Sequence, residues 1–335
     1  MSLLFYKRLV GDNMHAKWAL FRRTLVVLAT PLLAAACSTA DYSKPVNDFA
    51  AATAESKTAL ALLDEQVTEA YGEILENGVA GGKVFLRVKS GDCNVTSDRC
   101  RLVVVDRGEK EEPYPPEPPL TRMTLLMGGI NSYAANLKAL IEADTARQVE
   151  TQVNAALGSI KNLAGTITKL RPGAEAPPTT VPQFATPVGA AVNWIVGQYV
   201  EHVKFKGLQQ ATANAKPVVR QAADLFRDVS SFASDVPKAE LANEVSAATD
   251  AVRTDRSKLN ITKFAHSAAK YDALLTSSPP SLFGQLGEAH DALAESLESD
   301  GLTLATATAR IEAFAAEVQK LAKTLKDIRA INSDK

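Results

Sequence analysis

The chain has 335 residues, of which 46% are hydrophobic, 22% are charged and 6% are aromatic, and its formal net charge is -1. This apolar content suffices for a core, so the composition excludes a disordered chain or a polyelectrolyte tail. The near-neutral balance argues against nucleic acid as a partner, because phosphate binding depends on clustered lysine and arginine. With 18 glycines and few aromatic residues, the composition favours helices over a β-sandwich or an α/β enzyme.

The first segment of the chain is typical of an export signal. Basic residues, among them Arg22 and Arg23, precede the uncharged stretch 24–36, TLVVLATPLLAAA. That stretch is shorter than the about 20 residues of a membrane-spanning helix, and it fits the about 7 to 15 residues of a secretory signal. We predict a signal peptide over residues 1–36, with Met14 as an alternative translation start because 14–23 already supply a basic region.

The end of this signal resembles the lipobox of bacterial prolipoproteins. Residues 32–37 read LLAAAC, with Ala34 where the commonest lipobox has leucine. The resemblance implies that Cys37 carries acyl chains such as palmitate and anchors the protein to a membrane. Because Ser38 rather than aspartate follows Cys37, it implies the outer membrane, facing the periplasm. The alternative is an ordinary secretory signal that leaves Cys37 as a free thiol. For residues 38–335 we recognise no family.

The mature chain is acidic once the signal is removed. Residues 37–335 contain 32 basic and 37 acidic side chains, a net charge of -5. This balance fits a periplasmic protein held by its lipid rather than by attraction to anionic membranes.

The mature chain begins with a tether and a helix. We expect residues 37–46 to form the lipidated N-terminus and its tether. From 46 to 76 apolar residues recur three and four positions apart, and Asn77-Gly78 follows, so the sequence predicts a helix with a C-cap.

A β-hairpin is expected over residues 83–106. The aliphatic runs KVFLRVK and RLVVVD flank a turn rich in glycine, aspartate and serine that contains Cys93 and Cys100. In an oxidising compartment this pair predicts a disulfide, because a metal or redox pair would need a CxxC motif or a nearby histidine. The exposed hairpin is our candidate contact surface.

The remaining chain alternates proline-rich connections with helical patterns. We expect a semi-rigid proline-rich linker at 113–119, helix over 120–170, and a proline-rich connection at 171–187. Helix follows over 188–236 with Pro217 at a kink or restart, a new helix starts at Pro237 and reaches 275, and the last covers 282–331. Residues 47–335 therefore form one domain, predicted to be a mainly α, elongated antiparallel bundle of long helices with coiled-coil-like seams.

The sequence contains no recognisable catalytic or metal-binding motif. His202, His266 and His290 each lie alone in alanine-rich helical segments, so we expect no catalytic residues, no metal and no cofactor. Trp194, Tyr199 and His202 are speculative ligand contacts, although aromatic residues at this spacing more often belong to a core.

Three functions compete on these grounds. The first is a non-enzymatic envelope lipoprotein that acts as a scaffold or interaction module for a protein partner in the periplasm. The second is a lipoprotein that binds a small molecule or metal between its helices. The third and weakest is an envelope hydrolase whose site is assembled from separate helices.

Overall fold

A computed structural model describes residues 39–88, 102–114, 120–170, 184, 196–275, 279–298 and 302–333. Several predicted features lie outside these residues: the signal peptide, Cys37, the cysteine pair Cys93 and Cys100, the linker residues 115–119, Trp194, and all of the connection 171–187 except Phe184.

The described residues form seven helices and three short strands. In chain order they are α1 (Ala40–Ala80), β1 (Val84–Val88), β2 (Leu102–Asp106), β3 (Glu111–Tyr114), α2 (Thr121–Glu142), α3 (Ala146–Leu170), α4 (Val196–Thr254), α5 (Lys258–Leu275), α6 (Pro279–Ser296) and α7 (Leu304–Ser333). Helix α4 has 59 residues and spans about 90 Å at about 1.5 Å per residue.

The helices pack into a bundle around one main hydrophobic core. Helix α1 contacts α2, α4 and α7, while α3 packs between α2 and α4, and α6 between α4 and α7. Its largest buried side chains are aromatic: Phe49, Tyr133, Phe226, Phe283 and Phe314. The prediction of a mainly helical bundle is confirmed.

The bundle contains both antiparallel and parallel helix pairs. Helices α2 and α3 are antiparallel, since Asn136 donates to the Ser159 hydroxyl at 3.1 Å while Gly129 packs against Leu163. Helices α1 and α7 run in the same direction, because Lys44 pairs with Glu312 near one end and Glu65 with Arg329 near the other. Between α1 and α7 the chain passes through the five described helices α2 to α6, and it then runs alongside α1 in the same direction.

Two helices that we expected to be continuous are each divided in two. The predicted helix 120–170 breaks before α3, where Thr145 and Gln148 form a capping box: the Thr145 hydroxyl accepts from the Gln148 N–H, and the Gln148 side chain accepts from the Thr145 N–H. The predicted helix 282–331 breaks before α7, where the Thr303 hydroxyl accepts from the Thr306 N–H. These caps satisfy N–H groups that a continuous helix would pair with its preceding turn.

The predicted helix start at Pro237 is wrong, because α4 runs through both Pro217 and Pro237. The break lies instead after Thr254, where Asp255 and Ser257 accept backbone N–H groups at the start of α5. A proline inside a helix removes one hydrogen bond. In α4 this cost is outweighed by packing against five other helices. Contacts lie on both sides of Pro217: Gly207 packs against Val153 of α3, and Ala223 against Gly287 of α6.

Helix α1 begins six residues before the predicted position. It starts at Ala40, and Tyr42 and Val46 are buried in the core. The Tyr42 hydroxyl donates to the Ser296 carbonyl at 2.6 Å, and the Thr39 hydroxyl donates to Glu201. Because these contacts fix the segment, a tether reaching to residue 46 is replaced by helix from Ala40 onward.

The three strands form an antiparallel sheet in the order β1-β2-β3. Phe85 lies opposite Val105, which confirms the two strands of the predicted hairpin. Strand β3 was not predicted, and it includes Pro113, the first residue of the expected linker. A proline is tolerated there because β3 is at the edge of the sheet.

No helix in the described part of the chain is both long enough and apolar enough to cross a membrane.

Candidate functional site

The sheet exposes apolar side chains that a monomeric protein normally covers. Phe85 is 58% exposed, Leu86 46% and Leu102 38%. Leu86 and Leu102 lie on one face of the sheet and Phe85 on the other, because successive residues of a strand point to opposite faces. We call these three exposed side chains together the apolar sheet surface. The centre of β2, from Val103 to Val105, is buried. Strand β1 pairs with β2 alone among the described strands, so its other edge has backbone groups free of a strand partner. An exposed apolar edge strand is typical of a protein contact site.

The end of α1 fixes the position of this sheet. The Gly81 N–H bonds to the Asn77 carbonyl and the Lys83 N–H to the Gly78 carbonyl, closing the helix. Gly82 has a φ of 64°, in the left-handed region that favours glycine, and the chain enters β1 directly afterwards. The Tyr114 hydroxyl donates to Glu76 at 3.0 Å and ties β3 back to α1.

An acidic cleft lies beside the sheet, between α1, α4 and α5. It has a narrow part of about 30 Å³ and a wider part of about 390 Å³. Its charged lining residues are five glutamates and one lysine: Glu69, Glu73, Glu76, Glu240, Glu244 and Lys270. This cleft was not predicted from the sequence, because its carboxylates come from helices far apart in the chain. The repeated i, i+4 glutamates at Glu69–Glu73 and Glu240–Glu244 were the available signal.

Two of the five carboxylates, those of Glu244 and Glu240, differ in their pairing. Lys270, only 2% exposed, places its Nζ 3.3 Å from Glu244 Oε2, and the Ser267 hydroxyl donates to the same oxygen at 3.2 Å. Glu240 is 7% exposed and lines both parts of the cleft. No hydrogen bond or ion pair joins its carboxylate to another residue that the structure describes.

A second cavity lies between α4 and α6, and we call it the α4–α6 groove. Its volume is about 660 Å³, and Arg220, Arg227, Gln285 and Asp291 are among its lining residues. Arg220 pairs with Asp291, and burial still raises the pKa of the Asp291 carboxyl. Gln285 Oε1 and Asp291 Oδ1 are buried and have no hydrogen-bond partner among the residues that the structure describes.

The predicted ligand contacts do not converge in the structure. Tyr199 is half-buried and packs against the main core, whereas His202 is exposed on the same helix. Trp194 lies outside the described residues. Tyr199 is therefore an aromatic residue of the core, which was the alternative to a ligand contact.

His202, His266 and His290, the histidines after the predicted signal peptide, lie on three different helices. His202 is on α4, half-buried His266 on α5 and fully buried His290 on α6. Among the described residues no three histidine, cysteine or carboxylate side chains are placed to hold a metal ion.

His290 forms a polar pair in the middle of the core. The Tyr133 hydroxyl lies 3.0 Å from His290 Nε2, and both side chains are fully buried. Burial, together with the nearby charges of Lys216 and Arg220, lowers the pKa of His290 to about 3. The imidazole is therefore neutral at physiological pH, and its ring packs beside that of Phe49.

Comparisons with protein-family models, with curated proteins and with solved structures found no match.

Proposed function

We propose that the protein is a non-enzymatic envelope lipoprotein, anchored through Cys37 to the outer membrane, that holds a protein partner in the periplasm. The observation that carries this proposal is the position of the apolar sheet surface. Helix α1 begins at Ala40, just after the candidate lipidation site, and the sheet follows its far end. Since α1 has 41 residues, about 60 Å of helix separates the anchor from the sheet.

The chemistry of the sheet favours a protein partner. A partner strand could add to the free edge of β1, with backbone hydrogen bonds supplying affinity and the side chains of Phe85 and Leu86 supplying specificity. Burying Phe85 would also remove a large apolar area from water, which favours association.

The test is crosslinking in the host cell, followed by mass spectrometry of the captured proteins. The variant Phe85→Ser with Leu86→Ser should lose the partner, because it removes the apolar contacts at the edge strand. The matched control is Leu125→Ser, which removes a leucine that is 63% exposed on α2 and leaves the sheet unchanged. Loss of the partner in the double variant alone supports the proposal. Equal capture by all three proteins, or no specific capture, contradicts it.

A second candidate function is binding of a small polar molecule in the α4–α6 groove. It is favoured by the buried acceptors Gln285 Oε1 and Asp291 Oδ1, which a ligand with N–H or O–H groups would satisfy. Gly284 lines this groove, and a Cβ added there meets no atom within 4 Å. In a thermal-shift screen, a true ligand should raise the melting temperature of the natural chain but not of Gly284→Leu, whose side chain occupies the groove.

A further inference from the structure

We propose that the free end of the antiparallel pair formed by α4 and α5 binds the surface of a lipid bilayer that carries anionic headgroups. We call this end, residues 250–264, the α4–α5 tip. The proposal goes beyond the scaffold function, because the tip shares no residue with the apolar sheet surface and its binding requires no acyl chain at Cys37.

The α4–α5 tip projects from the bundle. Leu241 is the last buried residue of α4 and Lys270 the first of α5, and no residue from 242 to 269 is buried, all of these being described. The two arms pack against each other, and Asn260 Nδ2 donates to the Ala251 carbonyl at 3.4 Å. Each arm is about 20 Å long at about 1.5 Å per residue. The tip therefore lies outside the main core and is accessible to a large partner.

Large apolar side chains are exposed at this tip. Leu259 is 64% exposed, Ile261 49% and Phe264 37%. Leu259 and Ile261 are two positions apart, so they point to nearly opposite sides of α5, about 200° apart at about 100° per residue. A rigid protein partner covers one face of a helix, whereas a fluid bilayer surface can surround the tip and receive both side chains. The arrangement therefore favours a lipid surface.

The α4–α5 tip is basic, although the mature chain is acidic. The tip has four basic and two acidic side chains, a net charge of +2. Its two carboxylates have partners within the tip. Asp250 pairs with Arg253 at 3.4 Å, and Asp255 Oδ1 accepts the Ser257 N–H at 3.1 Å. The acidic residues thus do not neutralise the rest of the basic charge.

Three basic side chains of the tip have no counter-charge. Arg256, Lys258 and Lys263 are exposed, and none forms an ion pair with another residue in the part of the chain that the structure describes. Anionic headgroups would supply this counter-charge. The lysine stems can lie along apolar surface while their ammonium groups stay at the level of the headgroups. Exposed leucine, isoleucine and phenylalanine beside lysine and arginine are typical of helices that bind in the membrane interface.

The same charge disfavours a second copy of this chain as the occupant. A symmetric dimer formed through this surface would place one tip against the other. Each tip carries a net charge of +2, and like charges placed opposite each other oppose association.

The test is co-sedimentation of the purified mature chain, residues 38–335 without acyl chains, with lipid vesicles. The main core begins at Tyr42, so this chain keeps every core residue. The probes are vesicles of phosphatidylglycerol mixed with phosphatidylcholine, and vesicles of phosphatidylcholine alone. We expect the chain to bind the anionic vesicles, to bind the neutral ones about tenfold more weakly or less, and to be released by salt.

A pair of charge variants assigns this binding to the tip. Lys258→Gln with Lys263→Gln should weaken binding to the anionic vesicles about tenfold or more. The matched control, Lys320→Gln with Lys323→Gln, removes two exposed charges from α7 and should bind like the natural chain. All four lysines are exposed, so both variants should fold, which circular dichroism checks.

A pair of leucine variants tests the apolar contribution. Leu259→Ser should weaken binding about tenfold, because the leucine would no longer enter the apolar part of the interface. Leu125→Ser removes a leucine of nearly equal exposure, 63% against 64%, and should bind like the natural chain.

The outcomes separate this inference from the proposed function. Loss of vesicle binding in the tip variants alone supports the inference. Absence of binding to the anionic vesicles, equal binding to the neutral ones, or equal loss in the control variants overturns it. Binding to soluble polyglutamate as tightly as to the vesicles also overturns it, since the tip would then be a site for an acidic protein. The variant Phe85→Ser with Leu86→Ser should bind the vesicles like the natural chain, so failure of the scaffold function leaves this result unchanged.

Discussion

At the residue scale, the buried His290 makes the stability of the protein depend on pH. Its pKa is lowered to about 3 in the folded chain, against about 6.5 in an unfolded chain. Between these values the unfolded chain binds a proton that the folded chain does not. The contribution of the neutral His290 to the free energy of unfolding is therefore fully present above about pH 6.5, and it decreases as the pH falls towards 3.

We predict that His290→Gln flattens this pH dependence. Over the interval from pH 6.5 to pH 5, the histidine should lower the free energy of unfolding by about 2 kcal/mol, at about 1.4 kcal/mol per unit. Glutamine keeps a polar group near the Tyr133 hydroxyl but does not titrate. Urea unfolding of both proteins at pH 7 and pH 5 measures the difference, and identical pH dependence in the two proteins would contradict the prediction.

The Tyr133–His290 pair was not predicted from the sequence. The sequence places these residues on separate helical segments, and each alone reads as an isolated polar group on an apolar face. The 3.0 Å contact exists only because α2 and α6 meet the same core.

At the element scale, close approach of helices depends on a glycine in α4. A Cβ added to Gly207 would lie 2.5 Å from Val153 Cγ2 in α3, too close for any real contact. A Cβ added to Gly165, exposed on α3, meets no atom within 4 Å.

We therefore predict opposite effects for two glycine-to-alanine changes. Gly207→Ala should lower the free energy of unfolding by about 1 to 3 kcal/mol through overpacking of α3 against α4. Gly165→Ala should raise it by about 0.5 to 1 kcal/mol, because alanine is the better helix former. Chemical denaturation of both variants measures these changes in the free energy of unfolding. A stabilised Gly207→Ala would show that α3 and α4 do not pack this closely.

The prolines of α4 are a second element-scale test. Pro217 is exposed on a continuous helix, whereas Pro237 is buried. Replacing Pro217 with alanine should restore a helical hydrogen bond without loss of packing, raising the free energy of unfolding by about 2 kcal/mol. Pro237→Ala should stabilise less, since it also removes buried atoms. A destabilised Pro217→Ala, measured by thermal unfolding, would indicate that the helix needs the proline there.

At the scale of the whole molecule, the proposed contact surface follows the C-terminal end of α1, whose first residue, Ala40, comes three positions after the proposed lipidation site Cys37 in the sequence. Anchoring through Cys37 requires its thiol to be acylated, so Cys37→Ala should shift the protein from the membrane fraction to the soluble fraction of the host cell. The thermal unfolding of the two purified proteins should be the same, because helix α1 begins only at Ala40. Full retention of Cys37→Ala in the membrane fraction would refute lipid anchoring.

The sequence by itself determined the helical character of this protein, because that signal is local. In α3, the apolar residues Val149, Val153, Ile160 and Ile167 recur at helical spacing, and all are buried in the structure. The two strands of the hairpin were likewise predicted from their aliphatic runs. The capping box at Thr145 and Gln148 was also present in the sequence, and reading it would have placed the break before α3.

Only the tertiary structure decided how the long helices continue and what they enclose. A proline normally ends or kinks a helix, and α4 passes through two because neighbouring helices pack along it. The acidic cleft likewise depends on distant segments: Glu240 and Glu73 line the same cleft only because α4 passes the end of α1. Periodicity specifies which face of a helix is buried, but it does not specify which other helix covers that face.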